Sequence, residues 1–203
     1  MANTSDEIAG WIRRLADPDR GTRKSAAFHL YRAGSPLTAS AVREWLEDAE
    51  FCELVRPFFR EGQGEPSLIY TVGIACQPEQ FEKIRAANGS PRLAEVPPDQ
   101  DAIEFELHFA DSAQLDVLTT RDLGGSGAIA RYLAKFGEGI QQIEVNVTDV
   151  DRATEILRTR FGIAAIYPLT RPGADGTRVN FFLVPTPNGK KVLVELVEPA
   201  TRK

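Results

Sequence analysis

KFGEGIQQIEVNVTDVDRATEILRTRFGI, residues 135–163, decides the fold. After a turn at Gly137–Ile140, the residues alternate up to Val147. Ile143, Val145 and Val147 point one way, while Gln142, Glu144 and Asn146 point the other, the period of a half-buried strand. Thr148 and Asp149 offer an N-cap, and Ala153, Ile156 and Leu157 recur at helical spacing, so a helix follows and Gly162 ends it. Three more strand-like runs come next, over 163–167, 178–184 and 192–197, separated by turns rich in Pro and Gly. The module reads β-α-β-β-β. Its last strand, in GKKVLVELVE (189–198), carries a carboxylate, Glu195, within an apolar run.

The same order occurs upstream. Residues 68–76 alternate, QPEQFEKIRAAN (77–88) is helical up to Gly89, and 90–101 form a loop with a further short strand near Leu93. Residues 102–109 alternate again, with Glu104, Glu106 and His108 on the polar side. Asp111-Ser112 turns the chain into a last strand over 114–118 that carries Asp116. IYTVGIAC (69–76) aligns with IQQIEVNV (140–147), and AQLDVL (113–118) with VLVELV (192–197). Thr71 then corresponds to Gln142, and Asp116 to Glu195. A short helix over 127–135 joins the two modules. The expected fold class is α+β, two βαβββ modules whose curved sheets enclose a cleft, with function where the matched polar residues converge.

An α-helical extension precedes them. Ile8, Trp11, Ile12 and Leu15 form an apolar stripe, and LADPDRGTRKSAAFHLYRAG (15–34) resembles one degenerate HEAT-type unit, with Arg23 following the Asp17-Pro18-Asp19 turn. A second helix is expected over 37–54, capped by Thr38 or Ser40, with Val42, Trp45, Leu46 and Ala49 as its stripe. GQGEP (62–66) reads as a linker, which divides the chain into helices over 1–62 and a domain over 67–199 made of modules 67–120 and 138–199. His29 reads as structural or solvated.

Composition narrows the function. A formal net charge of -5 over 203 residues argues against a general nucleic-acid or anionic-membrane surface. Cys52 and Cys76 lack CxxC spacing and read as free thiols. No apolar run approaches bilayer length and the N-terminus lacks a leader core, so a cytoplasmic protein is expected. The Gly-rich GGSG at 124–127 has no following Lys-Ser or Lys-Thr to make a phosphate loop, and two histidines assemble no nucleophilic triad. Arg171 and Arg178, in RPGADGTR, would either meet an anion or decorate a turn.

IARYLAKFGEGIQQIEVNVTDV (129–150), RPGADGTRVNFF (171–182) and VLVELVEP (192–199) resemble the vicinal oxygen chelate (glyoxalase, bleomycin resistance, extradiol dioxygenase) superfamily, and its methylmalonyl-CoA epimerases most. The resemblance spans roughly residues 67–199 and is more specific in the second module. It implies one divalent metal held by the first and last strands of each module, matched here by Thr71, Asp116, Gln142 and Glu195. The two histidines of the usual set are absent, with Thr71 and Gln142 in their places. An all-oxygen set would hold Mg or Ca only with several waters, so the cofactor stays open. The resemblance further implies proton transfer next to a thioester carbonyl by two carboxylates, matched by Glu195 and, in the 90–101 loop, Glu95. His108 is a candidate base or replacement ligand; Glu144 is a candidate partner for Glu195. Three functions follow: an isomerase or lyase acting on a small acid, thioester or carbonyl compound; a metal-free module that binds a small molecule in the cleft; or an interaction protein whose helices dock a partner. A homodimer is expected, with neither nucleic acid nor membrane as partner.

Overall fold

A computed structural model describes residues 5–60, 67–109, 113–186 and 191–200. In chain order the elements are helices α1 (Ser5–Arg14), α2 (Arg20–Leu46) and α3 (Ala49–Val55); strands β1 (Phe59–Arg60), β2 (Ser67–Leu68) and β3 (Tyr70–Ala75); and helix α4 (Pro78–Ala87). Strands β4 (Ile103–His108) and β5 (Gln114–Thr119), helix α5 (Ala128–Phe136), strand β6 (Gly139–Asn146) and helix α6 (Val150–Arg160) follow. Strands β7 (Arg171–Pro172), β8 (Arg178–Pro185) and β9 (Lys191–Glu198) close the chain. They form two compact units, Met1–Gly34 with Thr71–Gln141 and Ser35–Tyr70 with Gln142–Lys203. The expected linker and the Asp111-Ser112 turn lie outside the described residues.

In the first unit the strand order is β4-β5-β3. β3 and β5 run parallel, pairing Gly73 with Asp116, and β4 joins β5 antiparallel, pairing Glu106 with Asp116. One sheet face carries Val72, Ile74, Leu115, Val117 and Phe105, all essentially without exposure, against Phe81 and Ile84 of α4. Phe81 and Phe105 meet edge to face at 4.7 Å. The N-terminal helices dock onto the same helix layer by side chains that bond backbone. Asn88 donates to the Leu15 carbonyl at 2.9 Å and accepts from Arg23 at 3.2 Å, and Arg23 also braces the Asp17 and Pro18 carbonyls. Trp11 leaves the apolar stripe and stacks on exposed His29 at 4.9 Å, while Ile12 and Leu15 are fully buried.

The second unit repeats the scheme with the order β6-β9-β8-β7. β6 and β9 run parallel and pair Glu144 with Glu195. Gly73 and Glu144 occupy equivalent places in the two aligned repeats, so first and last strands share one register in both modules. β8 continues antiparallel, pairing Phe181 with Glu195. Ile143, Val145, Phe182, Val194 and Leu196 bury the opposite face together with Ala153, Ile156 and Leu157 of α6. Asp149 caps α6 through the Arg152 amide. α3 docks here: Arg152 pairs with Glu50 at 2.5 Å, and Arg160 pairs with Asp48 and Glu50.

Three local expectations change. Positions 38 and 40 lie inside α2, which runs through Pro36 to Leu46, and Asp48 caps the next helix by accepting from the Glu50 and Phe51 amides. A proline inside a helix forfeits one backbone hydrogen bond; burial of Val42 and Trp45 on the same helix offsets it. The break at Asp48 leaves Ala49 exposed. No strand forms near Leu93 among the described residues, where the Ala94 amide bonds only the Glu104 carbonyl. In place of a strand at 163–167 there is a single bridge, Ala165 to Phe182, and pairing resumes only at β7.

Truncating Phe105 to Ala should destabilise the protein by about 3–5 kcal/mol, as large-to-small changes in sealed cores do, which urea unfolding at neutral pH will measure. Hydrogen bonds from Arg152, then Arg160, pull the Glu50 carboxyl down from 4.5 to about 2. A depressed carboxylate contributes stability above its ordinary value and loses it as pH falls through the folded one. The melting temperatures of Glu50→Gln and the native chain should therefore differ at neutral pH and converge between about pH 4.5 and 2.

Candidate functional site

In the second unit the site is built on one sheet face. The register sets Glu195 between Glu144 on β6 and Phe181 on β8. Alternation adds Gln142, two residues before Glu144, to the same face. Gln142 and Glu195 are only 6% and 9% exposed, so the carboxylate requires a donor. Gln142 supplies it. Its Nε2 donates to Glu195 Oε2 at 2.6 Å and to Glu144 Oε1 at 3.1 Å, so one NH2 group serves both carboxylates. Beyond Phe181 the face continues through Tyr167, which meets Phe181 edge to face at 6.0 Å, to Arg171, whose guanidinium lies 4.6 Å over the Tyr167 ring. Arg178 projects from the opposite face and is held by Asp151 and Glu198.

The first unit carries the equivalent positions on its own sheet. Thr71, Gly73, Gln114, Asp116, Glu106 and His108 share a face by register. Thr71 Oγ1 donates to Gln114 Oε1 at 3.4 Å, and Asp116 is 5% exposed. Ile129 and Leu133 of α5 cover the far end of this face at Ala75 and Leu118. His108 sits on the outer strand, where it pairs with Glu106 at 2.7 Å. Its pKa is raised above 6.5, first by that hydrogen bond, with partial burial opposing. Glu95 is exposed in the loop outside β4, next to Ala94.

Of the expected ligands, then, Gln142 and Glu195 touch each other, Thr71 bonds Gln114, and Asp116 stands beside Gly73 and Glu106 in register. The sequence reading singled out neither Gln114 nor Phe181. Strand alignment was the signal available, since both lie in register beside residues it did name. The donor chemistry does not fit the divalent metal that the resemblance implies. A cation approaching Glu195 from the side of Gln142 would meet N–H hydrogens rather than lone pairs. With no cation between them, a turned amide would set Oε1 against the carboxylate oxygen, acceptor against acceptor, so the 2.6 Å contact directs Nε2 to Glu195.

The His108–Glu106 pair makes a prediction. Glu106→Gln should bring the His108 titration back toward 6.5, read by two-dimensional NMR of the imidazole. The raised value means that the pair favours the folded state below about pH 6.5 and that this contribution fades as pH rises through the folded pKa. An unchanged titration would mean that Glu106 does not set it.

No family model and no curated protein matches the chain. Solved structures do. A methylmalonyl-CoA epimerase from Mycobacterium tuberculosis is 34% identical over 64% of this chain and 87% of its own, with a TM-score of 0.53. A variant of the Streptomyces coelicolor methylmalonyl-CoA epimerase, in complex with 2-nitronate-propionyl-CoA, is 27% identical over 66% of this chain and 97% of its own, at TM-score 0.50. A hypothetical protein from Bacillus halodurans shares the fold at 24% identity over 66% of this chain and 94% of its own, with a TM-score of 0.53. With the parallel first and last strands of both modules, these matches show that the chain belongs to the vicinal oxygen chelate superfamily, the group that includes the methylmalonyl-CoA epimerases.

Proposed function

We propose that the protein is a glyoxalase- or epimerase-like enzyme that moves a proton next to the carbonyl of a small acid or thioester, with Glu195 as the base. One observation carries this reading: a carboxylate only 9% exposed, within the apolar run 192–197, with its orientation fixed at 2.6 Å by Gln142. A buried, oriented carboxylate beside an aromatic wall is suited to take a proton from carbon. In the step, a Glu195 oxygen accepts the proton, the C–H bonding pair moves into the adjacent carbon–carbon bond, and the carbonyl oxygen becomes an enolate. The proton returns from Glu195 or, for inversion, from a second acid on the opposite side of the α-carbon. Hydrogen-bond donors must then stabilise the enolate. The complex of the Streptomyces relative with 2-nitronate-propionyl-CoA supports a CoA thioester as the first substrate to try.

A second reading has support in the same residues. Thr71 and Gln142 stand where the family has imidazoles, which favours a module that binds a small molecule without turnover. Incubation with methylmalonyl-CoA in deuterium oxide distinguishes them. The enzyme reading expects deuterium at the α-carbon faster than in buffer, and a loss of about 10²–10⁴-fold in Glu195→Gln, the range for removing a general base. Stabilisation against heat by the thioester without exchange would favour the binding module. Neither exchange nor stabilisation, across methylmalonyl-CoA and other short acyl-CoA thioesters, would reject both.

A further inference from the structure

We infer that Gln142 is a positioning residue that replaces a metal ion: its neutral NH2 group, rather than a divalent cation, organises Glu195 and Glu144. The role given to Glu195 rests on the proposed function; the independence from metal does not. Glu144 and Glu195 stand directly opposite on parallel strands, where backbones are about 4.8 Å apart. Two carboxylates so placed repel each other unless something positive lies between them. A cation is one solution. Here each hydrogen of a single carboxamide nitrogen reaches one of the two acids, at 2.6 Å and 3.1 Å. The donor comes from the same strand as Glu144, two residues earlier, so the pleat holds it on the shared face without a loop or a ligand.

The residue type is decisive. A glutamate of the same length would turn the donor into a third carboxylate and leave an all-oxygen acidic cluster that calls for Ca or Mg. A histidine would add a nitrogen ligand suited to Zn or Co. Glutamine does neither, because its two N–H bonds are spent on the acids and its oxygen faces away from them. The substitution that removes the family's nitrogen ligand therefore also supplies the group that makes the ion dispensable.

The test uses the full chain, with Ca, Mg, Mn, Co, Ni and Zn salts as probes and no substrate. The native protein should melt at the same temperature with each ion and with chelator. Gln142→Glu should melt lower at neutral pH and recover on adding Ca or Mg. If that variant does not fold, Gln142→His supplies the second arm, with a gain from Zn or Co that the native chain lacks. The Gln142 side-chain amide should give a downfield, exchange-protected pair of NMR signals that moves upfield in Glu195→Gln. A general packing role would not produce that movement. Stabilisation of the native protein by any of these ions, abolished in Glu195→Gln, would overturn the inference, as would an amide signal indifferent to Glu195. A negative deuterium-exchange assay alongside a metal-indifferent native protein and a responsive amide signal would remove the enzyme reading alone.

Discussion

Everything in each module follows from one constraint, the parallel pairing of its first strand with its last. Parallel neighbours cannot be joined by a tight hairpin, so the chain must leave the sheet and return. It leaves through a helix, α4 or α6, re-enters at the outer strand, and builds inward antiparallel until the last strand closes against the first. The closing strand is therefore buried on both flanks. A polar residue in its middle is taken out of water by the topology itself, and Asp116 and Glu195 stand there in the two modules. Gln142 is the consequence in the second module. Burial of Glu195 demands a donor, and the neighbouring strand is where a donor can stand.

Much of this was legible because strand periodicity is short and local. Alternation alone sorts Ile143 and Val145 from Gln142 and Glu144, and the repeat alignment predicts the shared register that pairs Gly73 with Asp116 and Glu144 with Glu195. The failures occur where tertiary burial overrode a local signal. Pro36 and two hydroxyl residues advertise a helix start, yet buried Val42 and Trp45 carry α2 past them, and Asp48 takes the capping role. Ile163–Tyr167 has strand composition, but only Ala165 is bridged. The site was legible as a set of positions, not as chemistry. The alignment named Gln142 and Glu195, but the direction of the amide, which decides between a metal ligand and a hydrogen-bond donor, is a property of side-chain contacts that no spacing encodes.

The two outer helices also show different solutions to the same task. At the end of α4 the docking runs through one amide, Asn88, which donates to the Leu15 carbonyl and accepts from the Arg23 guanidinium. On α6 it is through paired charges, Arg152 and Arg160 against Glu50 and Asp48. Exposed ion pairs weaken with salt more than amide-to-carbonyl bonds do, so ionic strength acts more strongly on the second unit's helix docking than on the Asn88–Leu15 bond of the first.

Helices α1–α3 are translated before the elements on which they dock. Glu50 meets Arg152 across 102 positions, and Asn88 meets Leu15 across 73. Contacts that close such long loops form late and slowly. Before α6 is made, Phe51 has only earlier neighbours such as Trp45, 5.8 Å away, and the central pairing of that unit waits for β9. Until α6 and β9 are made, the apolar side of α3 lacks its native seat, and such transiently exposed surface is where long chains misassociate.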